Sequence, residues 1–269
     1  MIDLTIIIPS YNASADLLVS LNSIFSQTYK EFEVLVIDAN STDGTADVLN
    51  NYPSDRSRLN YFSEADQGIY DAMNKGILKA RGQWIYFMGC GDTFLNNDVL
   101  YNVFIQNQKV LNSADFVYGN VIFRDTGLIY AGLFDLYKLF FQNICHQAIF
   151  IKKSIVTGLG CFNLKYKILA DWDLNIKCFL SKNVRIQYLN LVVGYYSLNG
   201  ISSKKIDETF MKDKSGLFRS QLQNLNWYKV LRIKSLLTDN EGFGNRFKYL
   251  FYTILYRLLY SIRFIVKGT

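Results

Sequence analysis

Short uninterrupted apolar runs, each ended by a polar cluster, constrain the fold of this chain more than any other feature. LTIIIPS lies near the start, VLVID occupies residues 34–38, and WIYFM occupies residues 84–88. Between the first two runs, Leu17, Leu21 and Ile24 recur at helical spacing. Apolar runs without polar alternation are typical of strands buried on both faces, and their alternation with helices predicts a parallel sheet. The chain is therefore predicted to be an α/β protein.

The same periodicities extend the prediction along the chain. Residues 45–51 and 69–80 are predicted helices, and Tyr61 with Phe62 indicates a short third strand. In the less regular second half, DFVYGNVIF and RIQYLNLVV favour strands, and ADWDLNIKCFLSK favours a helix. The length of 269 residues suits one large domain, or one domain with an appended segment.

Polar clusters follow the predicted strands, at the edge where open α/β sheets bind ligands. Residues 9–12 follow the first strand, residues 38–43 follow the second, and residues 91–92 follow WIYFM. Residues 64–68 lead into a helix whose N-terminus could face a phosphate. Neither GxGxxG after the first strand nor GxxxxGK[ST] occurs, so dinucleotide binding and P-loop hydrolysis lose support. A nucleotide site made of carboxylates, an amide and a tyrosine remains, in which one carboxylate can hold a divalent cation that bridges a diphosphate.

The net charge of +6 is concentrated in the C-terminal tail. From Lys214 onward there are ten Lys or Arg and two Asp or Glu. The chain before Lys214 has 19 Lys or Arg and 21 Asp or Glu. The stretch 243–267 is apolar, aromatic and basic, and its longest apolar run is shorter than the roughly 20 residues that a spanning helix needs. It is predicted to be a helix in the bilayer interface, without a nucleic-acid partner. The alternative is a helix packed on the body or against a second copy in a homodimer.

The cysteines and the single histidine argue against a zinc centre. Four cysteines occur without a CxxC pair. The first apolar run, residues 4–8, is too short for a signal peptide. We therefore expect reduced thiols and a cytoplasmic protein, peripheral on the inner face of the cell membrane.

Several segments, taken in order, resemble family 2 glycosyltransferases of the GT-A fold. They are TIIIPSYN, VIDANSTDGT, SEADQGIYDAMNKGI and ARGQWIYFMGCGDTF, followed on the acceptor side by NICHQAIFIKKS and ILADWDL. The resemblance implies a Rossmann-like, mixed and mostly parallel sheet in residues 1–213. Residues 1–100 would bind the nucleotide-sugar and residues 101–213 the acceptor, and residues 214–269 would form a C-terminal helical segment.

The reaction implied is inverting transfer of a hexose or N-acetylhexosamine. The donor would be a nucleotide-sugar, usually a UDP-sugar. The acceptor would be a saccharide, plausibly linked to undecaprenyl diphosphate, in the synthesis of bacterial O-antigen or capsule polysaccharide. A nucleotidyltransferase and a non-catalytic carbohydrate-binding protein are the alternatives from other functional classes.

The resemblance also assigns roles to individual residues. Asp171 would be the catalytic base, and Asp38 would hydrogen-bond the nucleotide base. The nucleotide-sugar-binding set is Pro9, Tyr11, Asn12, Asp38, Asp66, Asn74, Lys75, Gly91 and Asp92. The acceptor or diphosphate side would be formed by His146, Gln147 and Trp172.

The metal-binding Asp-x-Asp element departs from the family pattern. It reads GCGD here, so Asp92 is its one carboxylate. A Mn²⁺ or Mg²⁺ cofactor is expected at Asp92, in a site that is weak, dominated by the diphosphate, or completed by His146.

Turn chemistry gives some of these residues a structural alternative. Asp38, Asp43 and Asp92 could each serve only as a turn or helix-capping residue. His146 could be a structural hydrogen-bonding residue, and Trp172 is predicted to be half core and half sugar platform.

The two aspartates of ILADWDL are predicted to have different roles. Asp171 and Asp173 lie two positions apart, so on a helix they point in different directions. At most one faces the donor, and the other is expected to be solvated or to cap the helix.

Overall fold

The computed structural model of the protein describes residues 2–53, 57–130, 132–196 and 206–219. A nine-stranded sheet lies at its centre. The strands are β1 (Leu4–Ser10), β2 (Phe32–Asp38), β3 (Leu59–Ser63), β4 (Trp84–Phe87), β5 (Thr93–Phe94), β6 (Phe116–Phe123), β7 (Ile129–Tyr130), β8 (Ile149–Lys152) and β9 (Ile186–Tyr196).

Helices connect most of these strands, as predicted for an α/β protein. The helices are α1 (Ser14–Phe25), α2 (Thr45–Asn51), α3 (Ile69–Lys79), α4 (Val99–Tyr101), α5 (Gln108–Ser113), α6 (Leu136–Phe141), α7 (Lys153–Gly158), α8 (Ala170–Leu180) and α9 (Glu208–Arg219). A π-helical turn, Asn102–Gln106, follows α4, and a 3₁₀ turn, His146–Ala148, precedes β8.

The sheet is parallel in its first half and mixed in its second. Its strand order is β3-β2-β1-β4-β8-β6-β9-β5, with β7 beside β6. β1 runs parallel to β2 and β4, and β2 runs parallel to β3. β8 is antiparallel to both β4 and β6, whereas β9 is parallel to β6. The prediction of a mixed α/β sheet is confirmed.

The strand order places a ligand-binding edge beside β1. The chain builds β1, β2 and β3 outward in one direction and then returns to add β4 on the other side of β1. Such a reversal leaves a crevice at the carboxyl ends of the strands, where open α/β sheets bind ligands. All seven residues of β1 and of β2 are buried, as their apolar runs predict.

Helix α3 packs unusually close to β1, because a glycine faces the strand. A Cβ atom at Gly76 would lie 2.5 Å from Cγ2 of Ile7. The same face of α3 buries Tyr70, Met73 and Ile77. The close approach therefore fixes Tyr70, near the start of the helix, at the ligand-binding edge.

The contacts within the chain separate it into two units, Met1–Leu217 and Phe218–Thr269. Residues 220–269 lie outside the described ranges, and so does almost all of the predicted C-terminal helical segment. The division at residue 213 and the predicted interfacial helix stay predictions. Among the described residues, no helix is long and apolar enough to cross a bilayer.

Candidate active site

The loops that follow β1 and β2 are joined by Asn12. Its backbone N–H donates to Oγ of Ser41 at 2.8 Å, and its side-chain Oδ1 accepts from the N–H of Thr42 at 2.9 Å. Asn12 has φ of 47°, a left-handed conformation that asparagine tolerates better than most residues. Asn12 therefore fixes the two loops against each other at the predicted nucleotide pocket.

Pro9 and Tyr11 occupy contrasting positions beside Asn12. Pro9 is buried near the end of β1, and its carbonyl lies 3.5 Å from the thiol of Cys90. The side chain of Tyr11 is 66% exposed, which leaves an aromatic face open to a planar ligand. Their roles in nucleotide binding stay predictions.

Asp38 is fully buried and surrounded by donors. Its carboxylate accepts from the N–H of Ser41 at 2.9 Å, from Oγ of Ser63 at 2.8 Å, and from the hydroxyl groups of Ser41 and Tyr61. Asp38 therefore holds the loop after β2, and its contact with a nucleotide base stays a prediction.

Asp43 accepts hydrogen bonds at the starts of two helices, as its predicted capping role requires. It accepts from the N–H of Ser14 at 2.9 Å, at the start of α1. It also accepts from the N–H and the hydroxyl of Thr45, at 3.2 and 2.6 Å, at the start of α2. These hydrogen bonds, led by the one from the Thr45 hydroxyl, lower the pKa of Asp43 to about 2.

Lys75 is surrounded by acceptors in the loop before α3 and on α3 itself. Its Nζ lies 2.5 Å from the carbonyl of Ala65, 3.7 Å from Asp71 and 3.9 Å from Glu64. Asp66 accepts from the N–H of Gly68 at 2.8 Å, which shapes the turn into the helix. The two carboxylates beside Lys75 offset its charge toward any ligand.

Asn74 holds a distant loop in place. Its amide Nδ2 donates to the carbonyl of Phe162 at 2.9 Å, and its Oδ1 accepts from the N–H of Phe162 at 2.9 Å. Both ends of the amide are therefore used by protein backbone. The predicted contact of Asn74 with the donor stays untested, whereas its structural role is visible.

Asp92 lies in a tight turn after β4. Its Oδ2 accepts from the N–H of Gly89 at 3.1 Å and from Nε2 of Gln147 at 2.8 Å. Burial raises the pKa of Asp92, and the hydrogen bond from Gln147 partly offsets the rise. Gly91 has φ of 88° and donates to Oγ of Ser20 at 2.9 Å, so the turn needs a glycine there.

The turn His146–Ala148 connects Asp92 with Asp171. Gln147 binds Asp92, whereas Nδ1 of His146 lies 3.6 Å from Oδ2 of Asp171. Two of the predicted acceptor-side residues, His146 and Gln147, therefore meet the two predicted functional aspartates at one place. That place adjoins the carboxyl end of β4, because β8, which follows the turn directly, pairs with β4.

Asp171 is held at the start of α8. Its Oδ1 accepts from the N–H of Trp172 at 2.8 Å and from the hydroxyl of Tyr70 at 3.0 Å, which Tyr70 shares with the carbonyl of Ile168 at 2.7 Å. Its side chain is 12% exposed, so it is not fully enclosed by protein. Burial, followed by the charge of Asp171, raises the pKa of Tyr70, which stays a neutral hydrogen-bond donor.

The loop before α8 is fixed by Asp207, just before α9. Its Oδ2 accepts from the backbone N–H groups of Ile168 and Leu169 at 2.9 and 3.3 Å. Its Oδ1 accepts from the N–H of Phe210 at 3.1 Å, which caps α9. Asp207 thus ties the segment that presents Asp171 to the start of α9.

Asp173 differs from its predicted state. It does point away from Asp171, but the expectation that it is solvated or caps the helix is wrong. Its side chain is 1% exposed, and it lies 2.8 Å from Nζ of Lys177, one turn later in α8. A buried carboxylate needs such a partner, so Asp173 is part of the packed side of the helix.

Trp172 belongs to the core. Its indole N–H donates to the carbonyl of Leu139 at 2.8 Å, and its ring lies 5.4 Å from the ring of Phe210. The ammonium of Lys214 lies 4.5 Å from the centre of the same ring. Trp172 is 8% exposed, so it packs in the core as predicted, but it does not form an open platform for a sugar.

Sequence reasoning missed Tyr70 and Cys90. No pattern in the segment QGIYDA distinguishes Tyr70, and its hydrogen-bond partner Asp171 lies 101 positions later in the sequence. Cys90 stands inside the Asp-x-Asp-like turn, and burial raises the pKa of its thiol to about 12, with smaller contributions from Asp16, Asp92 and Asp38. Cys90 is therefore a neutral thiol, not a thiolate that could replace the missing carboxylate.

The described ranges contain no group of three His, Cys, Asp or Glu residues placed to hold a metal ion. Asp92 nevertheless lies where the family pattern puts a ligand. A Mg²⁺ ion is commonly held by one or two protein carboxylates together with substrate phosphates. The residues present therefore fit an ion that enters with a diphosphate, and do not form a closed protein cage.

The fold is shared with solved structures that contain bound nucleotide-sugars. The chain superimposes on Staphylococcus aureus TarS with a TM-score of 0.67 at 18% identity, over 86% of this chain and 42% of that one. A shorter TarS structure, with UDP-GlcNAc, gives a TM-score of 0.63 at 17% identity, over 86% and 70%. The mannosyltransferase PcManGT of Pyrobaculum calidifontis, with GDP-Man and Mn²⁺, gives a TM-score of 0.59 at 16% identity, over 94% of this chain and 79% of that one. The GT-A fold implied by the resemblance is confirmed.

Sequence comparison gives the family. The family model described as glycosyl transferase family 2 matches residues 5–154. A "PGL/p-HBAD biosynthesis glycosyltransferase" of Mycobacterium tuberculosis is 41% identical over 213 residues, covering 77% of this chain and 82% of the relative. The Escherichia coli "UDP-Glc:alpha-D-GlcNAc-diphosphoundecaprenol beta-1,3-glucosyltransferase WfaP" is 27% identical over 217 residues, covering 76% and 81%. These matches support neither a nucleotidyltransferase nor a non-catalytic carbohydrate-binding protein. The chain belongs to glycosyltransferase family 2 and is a glycosyltransferase enzyme.

Proposed function

We propose that this glycosyltransferase moves a hexose or an N-acetylhexosamine from a UDP-sugar to a hydroxyl group of a saccharide, with inversion at the anomeric carbon. The observation that carries the proposal is the arrangement of Asp171. It is held by Tyr70 and Trp172, its side chain is 12% exposed, and the His146–Ala148 turn connects it to Asp92. This arrangement supports a proton acceptor and a leaving-group site in one crevice.

The chemistry of transfer needs a base, because a sugar hydroxyl is a poor nucleophile. Asp171 would take the hydroxyl proton as the oxygen bonds to the anomeric carbon. The hydrogen bonds from Tyr70 and Trp172 hold the carboxylate in one orientation. A single displacement from the face opposite the diphosphate inverts the anomeric carbon and requires no covalent enzyme intermediate.

Asp92 would hold Mn²⁺ or Mg²⁺ together with the donor diphosphate. Such an ion supplies charge stabilisation to the departing diphosphate when it is bound. Gln147 orients the Asp92 carboxylate through its 2.8 Å hydrogen bond. The Mn²⁺ in the PcManGT structure supports a metal in this fold. Because Asp92 is the one carboxylate of the Asp-x-Asp-like turn, the diphosphate would supply much of the binding of the metal ion.

The donor and acceptor classes rest on the relatives. TarS has been crystallised with UDP and with UDP-GlcNAc, and WfaP is named for UDP-Glc and a diphosphoundecaprenol-linked GlcNAc acceptor. We therefore propose a lipid-linked saccharide acceptor, of the kind used for bacterial O-antigen or capsule. The enzyme would work in the cytoplasm, on the inner face of the cell membrane.

A nucleotide-sugar panel tests the donor assignment. A ligand that binds only the folded state raises its stability, by about 2.7 kcal/mol at a concentration 100 times Kd. For a chain of this size we expect a melting temperature about 5–10 °C higher with the correct UDP-sugar and a divalent cation. Transfer or slow hydrolysis of the same donor should follow. Stabilisation by nucleoside triphosphates alone, with pyrophosphate release, would contradict the proposal.

The basic tail should attach the enzyme to anionic membranes. Residues 243–267 mix aromatic and basic side chains, and basic groups near such a surface contribute about 1 kcal/mol each. In vesicle flotation, removal of residues 243–269 should abolish association with anionic vesicles, and added salt should weaken association of the whole chain. Transfer to a short water-soluble acceptor should persist after truncation. Equal flotation of both forms would refute the attachment.

A further inference from the structure

Arg124 lies directly after β6, next to the turn that contains Asp92. Its backbone N–H donates to the carbonyl of Tyr196 at 2.9 Å. β9 pairs with β6 on one side and with β5 on the other, so Tyr195 lies opposite both Ile122 and Thr93. The sheet therefore brings Arg124 to the strand that follows Asp92 in sequence.

The side chain of Arg124 crosses β9 toward this turn. Its guanidinium lies 5.3 Å from the centre of the Tyr195 ring, and Nη2 donates to Oγ1 of Thr93 at 3.0 Å. The ring and the hydroxyl hold the guanidinium plane in one place, although the residue as a whole is exposed. A held, solvent-facing guanidinium can accept a ligand without first losing its own conformational freedom.

Three other basic side chains near the sheet are paired with carboxylates. Arg81 lies 2.6 Å from the buried carboxylate of Glu33, and Arg185 lies 2.8 Å from Asp115. Lys75 has two carboxylates within 4 Å. Within the ranges that the structure covers, Arg124 forms no ion pair, and the one hydrogen bond of its side chain uses Nη2 alone. Its positive charge is thus left available.

Arg124 is held by the residue that directly follows Asp92. Its guanidinium donates to Oγ1 of Thr93, and Thr93 is bonded to Asp92 in the chain. An anion at Asp92 would therefore experience the positive field of Arg124.

We propose that Arg124 binds the diphosphate of the nucleotide-sugar donor and stabilises it as the leaving group. The inference rests on the proposed function and adds a residue to it. The guanidinium presents a planar fork of donors that matches phosphate oxygens. It supplies positive charge at a site where the Asp-x-Asp element has lost a carboxylate and can hold a metal less firmly.

The step at which Arg124 acts is cleavage of the donor bond. The bond between the anomeric carbon and the diphosphate oxygen breaks, and its electron pair stays on the diphosphate. The acceptor oxygen bonds to the anomeric carbon, and its proton passes to Asp171. Arg124 makes and breaks no covalent bond. Its hydrogen bonds strengthen as negative charge gathers on the diphosphate, which lowers the barrier.

The test compares UDP with uridine, because only UDP carries the diphosphate. In titration calorimetry with Mg²⁺ present, Arg124→Gln should weaken UDP binding by about 10- to 100-fold, and uridine binding should be unchanged. Arg124→Lys should fall between Arg124→Gln and the wild type, since it keeps the charge without the planar fork. Lys109→Gln removes an exposed positive charge on α5 and should bind UDP like the wild type.

Each outcome separates this assignment from the proposed function. If the wild-type chain binds no UDP, the proposed donor is wrong, and the comparison moves to the diphosphate and nucleoside that the panel identifies. If Arg124→Gln binds UDP as tightly as the wild type, the assignment of Arg124 is overturned. Equal weakening of UDP and uridine would overturn it as well, because it would indicate a structural role. A loss confined to a diphosphate-linked acceptor would place Arg124 on the acceptor and overturn the donor assignment.

Discussion

Replacing Asp171 with asparagine is expected to lower the transfer rate by about 10²–10⁴, because an amide cannot take the acceptor proton. Asparagine has the shape of aspartate, and its Oδ1 can still accept from Tyr70 and from the N–H of Trp172. The fold and the affinity for the donor should therefore persist. The measurement is kcat for transfer together with Kd for UDP, in the variant and the wild type.

Asp173→Asn is the matched control on the same helix. It removes a carboxylate two residues away, but one that is buried and paired with Lys177. We expect a lower melting temperature, since Lys177 loses its partner, and a transfer rate per folded molecule close to that of the wild type. Near wild-type transfer by Asp171→Asn would show that the base is elsewhere. Loss of UDP binding in both variants would show that this turn of α8 is structural.

Replacing Asp92 with alanine is expected to remove most of the stimulation by Mn²⁺ or Mg²⁺, at a cost of about 10²-fold in transfer rate. The variant loses the one carboxylate of the Asp-x-Asp-like turn and the partner of Gln147. The measurement is the transfer rate over a range of metal concentrations, with an excess of chelator as the zero point.

Cys90→Ser is the comparison for this second variant. It changes a neighbouring neutral side chain and leaves the carboxylate of Asp92 in place, so metal stimulation should persist. Full activity of the wild-type enzyme in excess chelator would show that transfer does not require a metal ion. In that case Arg124 would remain as a positive group able to act on the diphosphate.

The parallel half of the fold could be predicted from the sequence because local residue patterns indicate each of its strands and helices. β1 and β2 are apolar runs with every residue buried, and α1 and α3 bury residues at helical spacing. In contrast, β5 has two residues, and it exists because β9 lies against it. At Gly194, a Cβ would lie 2.4 Å from the carbonyl oxygen of Thr93, a close approach that no local pattern reveals.

The site could be predicted only as far as residue type and strand position allow. Asp171, His146, Gln147 and Asp92 meet in space, as the resemblance implied. Long-range contacts decide the rest. Asn74 is used by the backbone of Phe162, 88 positions away, and Arg124 reaches Thr93 across β9. Nothing in the residues flanking Asn74 or Arg124 distinguishes these roles, because the partners become neighbours only in the folded sheet.

The anomeric configuration of the product tests the central claim most directly. The enzyme would be incubated with an α-linked UDP-hexose or UDP-N-acetylhexosamine, a divalent cation and a saccharide acceptor, and the anomeric proton of the product would be observed by NMR. Single displacement with Asp171 as base predicts a β-linked product and its near absence with Asp171→Asn. An α-linked product would contradict the account, because retention requires a mechanism that this arrangement of Asp171 and Asp92 does not provide.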